Sequence, residues 1–368
     1  MILHVISGLG TGGAEAMLVQ VACALQRRGL PQHVVNLGDR AENALLLETG
    51  GVGVTDLGLT GLVGLPSALL KLRSLIAAHR PSVVHGWMYH GNLVAALGHR
   101  VAPGWRGRRL FWGLRASNMD VARYGRINRL SALLSRWPDV VIANSAAGAR
   151  FHMGLGYRPR MLEIVPNGID CDRFRPDEQL RGVVRAELGI APDAVVAIHV
   201  ARVDAMKDHS TFLAAMQRVP QVTGLLVGKG TDELPLPANV RALGLRGDVQ
   251  QLYCAADIVV SSSAFGEGFS NVLAEGMAAG LIPVATDVGD AGAIVGETGA
   301  IVPPRDAGAL SNAIAAAAGL PIGERRARAI AARARIEGQF TIENAIEAYA
   351  RLYCQTTSAM IPLRLRMH

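Results

Sequence analysis

Short apolar runs alternate with helical stretches almost from one end of this chain to the other, and that alternation constrains its fold more than any other feature. Residues 2–7, 33–37, 52–57, 82–85, 109–113 and 140–143 read as strands, with helical patterns such as 14–28 and 66–79 between them. Strands separated by helices of this length are βαβ units and predict a parallel sheet. The run Pro166-Asn-Gly-Ile-Asp-Cys-Asp-Arg-Phe-Arg-Pro176 then interrupts the pattern with turn formers and charge, as an interdomain connection would. A second set of strands follows at 194–200, 224–228, 257–261 and 282–285, with helices near 207–218 and 271–279 and Ala- and Arg-rich helices over 306–335. The expected architecture is α/β: two facing Rossmann-like, doubly wound domains, residues 1–168 and 191–335, joined by a linker at 169–190. Ligands belong in a cleft outside the carboxyl ends of the strands.

Composition narrows the class. Half of the 368 residues are apolar and 18% are charged, the balance of a well-packed globular protein of about two domains. Cys23, Cys171, Cys254 and Cys354 lie far apart without a CxxC pair, so they read as isolated thiols in a reducing compartment. The first residues lack the basic start of a signal peptide. The uncharged stretch 57–70 is too short to span a bilayer and contains Pro66. The expected location is the cytoplasm. The net charge of +7 is unevenly placed, with nine arginines and one acid, Asp120, between Arg100 and Arg136. That segment is either a solvated basic face or a surface for anionic lipid headgroups or a phosphate-bearing acceptor, reached through the 106–136 region and peripheral to the inner face of the plasma membrane. Aromatic residues are not interleaved as stacking platforms, so no nucleic-acid partner is expected.

The first strand–helix junction reads Ser7-Gly8-Leu9-Gly10-Thr11-Gly12-Gly13-Ala14-Glu15. Gly8, Gly10 and Gly13 satisfy GxGxxG, whose physical content is that backbone N–H groups and a helix start can approach a phosphate. A glycine turn needed for packing alone accounts for it too, and Asp39 is only loosely placed for a ribose contact. In the second half, the first strand ends at Ala201-Arg202, and Lys207 opens the next helical segment. Two cations at that spacing can offset charge on a departing diphosphate without a metal. Phe265-Gly-Glu-Gly-Phe-Ser-Asn271 then leads into an apolar helix containing Glu275. Glu267 on the loop can accept hydrogen bonds from sugar hydroxyls, the helix start offers N–H groups to a diphosphate, and Glu275 within the helix can reach ribose hydroxyls.

Taken together and in order, Gly-Gly-Ala-Glu, Asn144-Ser145, Val165-Pro-Asn-Gly-Ile-Asp170, Ala201-Arg202 with Lys207, Val227-Gly-Lys-Gly230, Ala256-Asp257, the Glu-x7-Glu element and Thr286-Asp-Val-Gly289 resemble family 4 of the retaining glycosyltransferases. These are the group 1 enzymes of bacterial cell-surface polysaccharide synthesis, and they have the GT-B architecture. The resemblance implies a metal-independent hexosyltransferase moving a sugar from a nucleotide-sugar donor to a glycan or lipid-linked acceptor, with no cofactor. It implies that Arg202 and Lys207 bind the diphosphate, that Glu267 holds the transferred sugar and Glu275 the ribose, and that Gly228, Phe269, Ser270 and Asn271 line the donor. Gly12 and Gly13 would close over the phosphates, and a final helix, 341–356, would return to the first domain. Retention of configuration is implied only by the family.

The histidine usual in the loop after the fourth strand is replaced here by Trp87. His90 is the better candidate for a catalytic contact, and His85 reads as a core residue. Arg115 and Trp87 are expected on the acceptor side. Asp170 and Asp172 mimic a metal-binding Asp-x-Asp but sit in a turn with no accompanying cluster, so no metal is expected. Three rivals stay open: an NAD-dependent oxidoreductase using Gly8 to Gly13, an epimerase of the same architecture, and a binding protein without turnover.

Overall fold

The computed structural model describes residues 1–10, 12–59, 61, 63–115 and 121–355, the side chains of 105 and 121–123 excepted. The chain forms two compact units, Met1–Pro166 with Glu343–His368, and Asn167–Ile342.

The first unit carries strands β1 (Ile2–Ile6), β2 (Gln32–Asn36), β3 (Gly53–Asp56), β4 (Val83–Trp87), β5 (Arg109–Leu114), β6 (Val140–Ala143) and β7 (Leu162–Ile164). Between them run helices α1 (Gly13–Arg27), α2 (Glu42–Thr49), α3 (Leu65–His79), α4 (Met88–Val101), α5 (Val121–Leu134) and α6 (Ala146–Gly154). All pairings are parallel, in the order β3-β2-β1-β4-β5-β6-β7. Every residue of β1 and β4 is buried, because helices cover both faces and leave no polar alternation. On one face Leu3, Val5, Val84 and Trp112 pack against Leu72 and Ile76 of α3 and Leu93 of α4. Each such side chain contributes about 1.5–3 kcal/mol by leaving water. The close approach of α4 depends on Gly91, where a β-carbon would lie 2.5 Å from the Val5 carbonyl oxygen.

The second unit repeats the plan with β8 (Val196–Val200), β9 (Thr223–Val227), β10 (Val240–Ala242), β11 (Ile258–Ser261), β12 (Ile282–Thr286) and β13 (Ala300–Val302). Its helices are α7 (Glu178–Glu187), α8 (His209–Gln217), α9 (Val249–Ala255), α10 (Asn271–Ala278), α11 (Ala291–Val295), α12 (Ala307–Ala318) and α13 (Ile322–Gln339). The parallel order is β10-β9-β8-β11-β12-β13. Val196 and Ile198 face one apolar layer, with Leu273 and Ile336, and Ala197 faces the other, with Phe212 and Ile314. Three-residue strands β7, β10 and β13 complete the sheets and are absent from the sequence reading.

Residues 169–190 are not a linker, contrary to expectation. Phe174, Val184 and Ile190 are buried in the core of the second unit. Arg181 and Arg185 of α7 donate to opposite oxygens of Asp257 at 2.7 and 2.9 Å, and Val196 N–H donates to the same carboxylate at 2.8 Å. A buried guanidinium and carboxylate held by this many bonds tie the segment to the start of β8 and β11. Gly168 is required where the segment runs beside the chain leaving the unit: a β-carbon there would lie 2.4 Å from Ile342 Cα. Ile169 N–H donates to Phe340 O at 2.8 Å and Ile342 N–H donates to Ile169 O at 3.0 Å around that contact.

The closing helix α14 (Ile342–Cys354) packs in the first unit from Glu343 onward. Tyr349 and Tyr353, one turn apart, are buried, and Arg28 pairs with Glu347 at 2.6 Å. Arg109 donates to the terminal carbonyls of Leu352 and Tyr353, which a cation at a helix C-terminus favours.

Candidate active site

In an open parallel sheet the crevice forms where the strand order reverses, which is between β8 and β11 in the second unit. The loops following these strands carry the residues singled out from the sequence. Arg202 follows β8 with its side chain 65% exposed, steadied by Asp204 at 3.3 Å. Lys207 lies in the same loop and does not open the helix. Asp208 caps α8 in a left-handed conformation (φ 47°), accepting from Thr211 N–H, so the helix begins at His209. Glu267 lies in the loop after β11, and its carboxylate forms an ion pair with Lys207 and accepts from Ser263 Oγ at 2.8 Å. The two residues expected to serve phosphate and sugar separately therefore meet directly.

Ser270 precedes α10, and Asn271 is its first residue. Asn271 Oδ1 accepts from Asn167 Nδ2 at 2.8 Å, which joins the Pro-Asn-Gly-Ile-Asp motif to the start of α10. Phe269 turns inward, its ring 5.4 Å from Phe340, so its side chain belongs to the core. Glu275, half-buried on α10, accepts from Tyr253 OH at 3.3 Å. Loss of hydration pushes its carboxyl up to about 7, against the lowering influence of that bond and of Arg173.

Glycines let these loops touch. Gly228 (φ 145°) follows β9 and lies against the loop after β8, where a β-carbon would be 2.0 Å from the Ala201 carbonyl oxygen. Gly289 (φ 66°) abuts the carbonyl oxygens of Glu267 and Gly268 at 2.6 Å from the same virtual atom.

In the first unit the order reverses between β1 and β4. Gly12 is the N-cap of α1, and Gly13 is its first residue. The Glu15 carboxylate folds over Gly12, and burial raises its pKa. His90 is exposed on the first turn of α4. Trp87 is fully buried and therefore does not itself face an acceptor; it donates to His4 Nδ1 at 3.0 Å and forms a platform 4.6 Å beneath the Arg115 guanidinium. Arg115 also donates to Tyr349 OH of α14 at 2.5 Å. Asn92 exchanges two 3.1 Å bonds with Gly113, fixing the strand end that carries Arg115. His85, the expected core histidine, is buried against Tyr353 OH at 2.6 Å, and desolvation keeps it neutral.

Asp170 Oδ1 accepts from the N–H groups of Asp172 and Arg173, a turn rather than a ligand set. Among the described residues no group of three His, Cys, Asp or Glu side chains is placed to hold a metal. Sequence reasoning missed Ser263, which bonds Glu267 four residues on, and Tyr253, Asn167 and Tyr349, whose partners lie far along the chain. Of these only Asn167 carried a signal, through its motif.

The family model for Glycosyltransferase Family 4 matches residues 11–173, and that for Glycosyl transferases group 1 matches 194–319. A D-inositol 3-phosphate glycosyltransferase of Mycobacterium tuberculosis is 31% identical over 234 residues, 58% of this chain and 48% of the relative. The chain thus spans about half the length of the curated relatives it matches. Anabaena Alr3699/HepE, solved in complex with UDP, superposes with a TM-score of 0.84 at 24% identity over 95% of this chain and 98% of that one. Sucrose-phosphate synthase (tll1590) from Thermosynechococcus elongatus gives 0.83 at 21% over 98% and 100%. At these identities the structures establish the GT-B fold. With two consecutive family models matched in the order of its two units, the chain belongs to the family 4, group 1 glycosyltransferases.

Proposed function

We propose that this protein transfers a hexosyl group from a nucleoside-diphosphate sugar to a glycan or lipid-linked acceptor of cell-surface polysaccharide, with retention and without a metal ion. The observation that supports this reading is the contact of Lys207 with Glu267 between the loops after β8 and β11, at the switch point of the second sheet, with Arg202 in the first loop and α10 following the second. The cations offset charge as the bond from the anomeric carbon to phosphate breaks. Glu267 orients the sugar, and Glu275 accepts from the ribose. The acceptor hydroxyl forms the new bond on the face that phosphate leaves, and its proton passes to the leaving phosphate oxygen. HepE has been solved with UDP-glucose and with UDP and glucose, which supports a uridine donor here. The D-inositol 3-phosphate relatives and the stacked guanidinium of Arg115 support an acceptor bearing an anionic group. No support attaches to the oxidoreductase or epimerase alternatives.

We further assign the protein to the cytoplasmic side of the membrane, as a peripheral protein. No helix among the described residues is long and apolar enough to cross a bilayer. Arg126, Arg129, Leu130 and Leu133 form an exposed stripe on α5, continued by Arg136 just past its end. Cations mixed with exposed leucines on one helix face suit an anionic membrane surface. Arg108 and Arg109 do not belong to it: Arg108 is buried and donates to Pro103 O, and Arg109 caps α14. The side chain of Arg123 lies outside the described residues.

The test is to incubate the protein with a panel of nucleoside-diphosphate sugars in EDTA, without acceptor, and measure diphosphate release. Slow hydrolysis of one donor, unaffected by EDTA, is expected. Release only after Mn²⁺ is added would overturn the cation-based reading, and binding of NAD in place of every donor would overturn the transferase itself.

A further inference from the structure

We propose that the Lys207–Glu267 ion pair discriminates intact donor from spent nucleoside diphosphate, weakening product binding so that product leaves. The inference rests on the functional reading above, and it concerns how two of the assigned residues act on each other.

The pair is built into the fold. Only 23% of the Lys207 side chain and 11% of the Glu267 side chain are exposed. Their loops are fastened by backbone: Ala264 N–H donates to Met206 O at 2.7 Å, and Ser262 Oγ donates to Lys207 O at 2.9 Å. Gly266 (φ 83°) admits Met206 against the loop, where a β-carbon would lie 2.6 Å from Met206 Cε. Asp290 N–H holds Gly268 O at 3.0 Å, and Gly289 backs the same carbonyl. Neither loop depends on the ion pair for its position, so the pair can open while the loops stay in place.

A diphosphate that engages Lys207 draws the ammonium from Glu267. A carboxylate shielded to this degree loses its cation at a cost that exposed pairs do not incur. An intact donor offsets that cost, because its sugar hydroxyls donate to Glu267 as the lysine departs. The product diphosphate carries no sugar and offsets nothing. The same carboxylate therefore favours donor and disfavours product, although it touches only one of them. If Glu267 merely contacted the sugar, product affinity would be indifferent to its charge.

Calorimetric titration with UDP, GDP, ADP and dTDP tests this on the wild type and on Glu267→Gln, which keeps shape and removes charge. The expected result is roughly tenfold tighter diphosphate binding by Glu267→Gln, the scale of one hydrogen bond to a charged group. Lys207→Ala in the Glu267→Gln background should abolish the gain. Equal or weaker binding by a folded Glu267→Gln protein overturns the proposal, as does a gain that survives loss of Lys207. Glu267→Ala replaces Glu267→Gln in both arms if thermal melting shows the latter unfolded. Failure of every diphosphate to bind any of the proteins overturns the transferase reading instead.

Discussion

Replacing Glu275 by glutamine should stabilise the unliganded protein in a pH-dependent way. The carboxyl is half-buried on α10 beneath Tyr253 OH, and burial raises its pKa from 4.5 to about 7. The folded state thus retains a proton that the unfolded chain releases from pH 4.5 upward. Stability falls as pH rises through that window, and below it the group costs nothing. A shift of about 2.5 units at 1.36 kcal/mol per unit gives about 3 kcal/mol above pH 7, an upper bound because part of the carboxyl remains hydrated. Glutamine is neutral throughout. Thermal scans should therefore show near-coincident melting at pH 4.5 and a Glu275→Gln advantage of up to roughly 6–12 °C at pH 8.5, at about 2–4 °C per kcal/mol for a unit of this size. The same variant should lose about ten- to a hundredfold in nucleotide affinity, because a carboxylate accepts ribose hydroxyls better than an amide does. A melting difference independent of pH, or a destabilised variant at pH 8.5, would refute the argument.

Other consequences can be checked more briefly. Gly289→Ala forces φ 66° on a residue with a β-carbon placed against two carbonyl oxygens, and should cost about 1–3 kcal/mol in denaturant melts while disordering the donor loop; an unchanged midpoint would contradict the contact. Tyr349→Phe removes the hydroxyl that positions Arg115 and should raise acceptor KM roughly tenfold with donor KM unchanged, whereas equal effects on both would point to general damage. Neutralising Arg126, Arg129 and Arg136 together should reduce binding to anionic vesicles about a hundredfold, at about 1 kcal/mol per basic residue, with no change on neutral vesicles. Arg108→Gln should lower melting temperature and leave vesicle binding intact; the reverse pattern would return the basic surface to Arg108.

Much of the candidate site's placement was legible because it is local. Arg202, Glu267, Ser270 and Asn271 are strand-end, loop and helix-start residues whose positions follow from chain order once the parallel sheet is assumed. The long strands were equally legible, since a buried parallel strand is a continuous apolar run. The edge strands β7, β10 and β13 were not, because three residues are too few to show a period. The 169–190 segment misled for a related reason: turn formers mark a change of direction and say nothing about whether the turn is packed.

Alternation and motif order by themselves determined two doubly wound units and the glycosyltransferase family, since backbone periodicity and short-range spacing are properties of the chain. Tertiary structure alone decided which charges meet. It paired Lys207 with Glu267, set Glu275 beneath Tyr253, buried Trp87 under Arg115 and drew Arg108 and Arg109 out of the basic surface. Partnership between residues tens to hundreds of positions apart depends on which loops the sheet brings together, and on how much water remains between them.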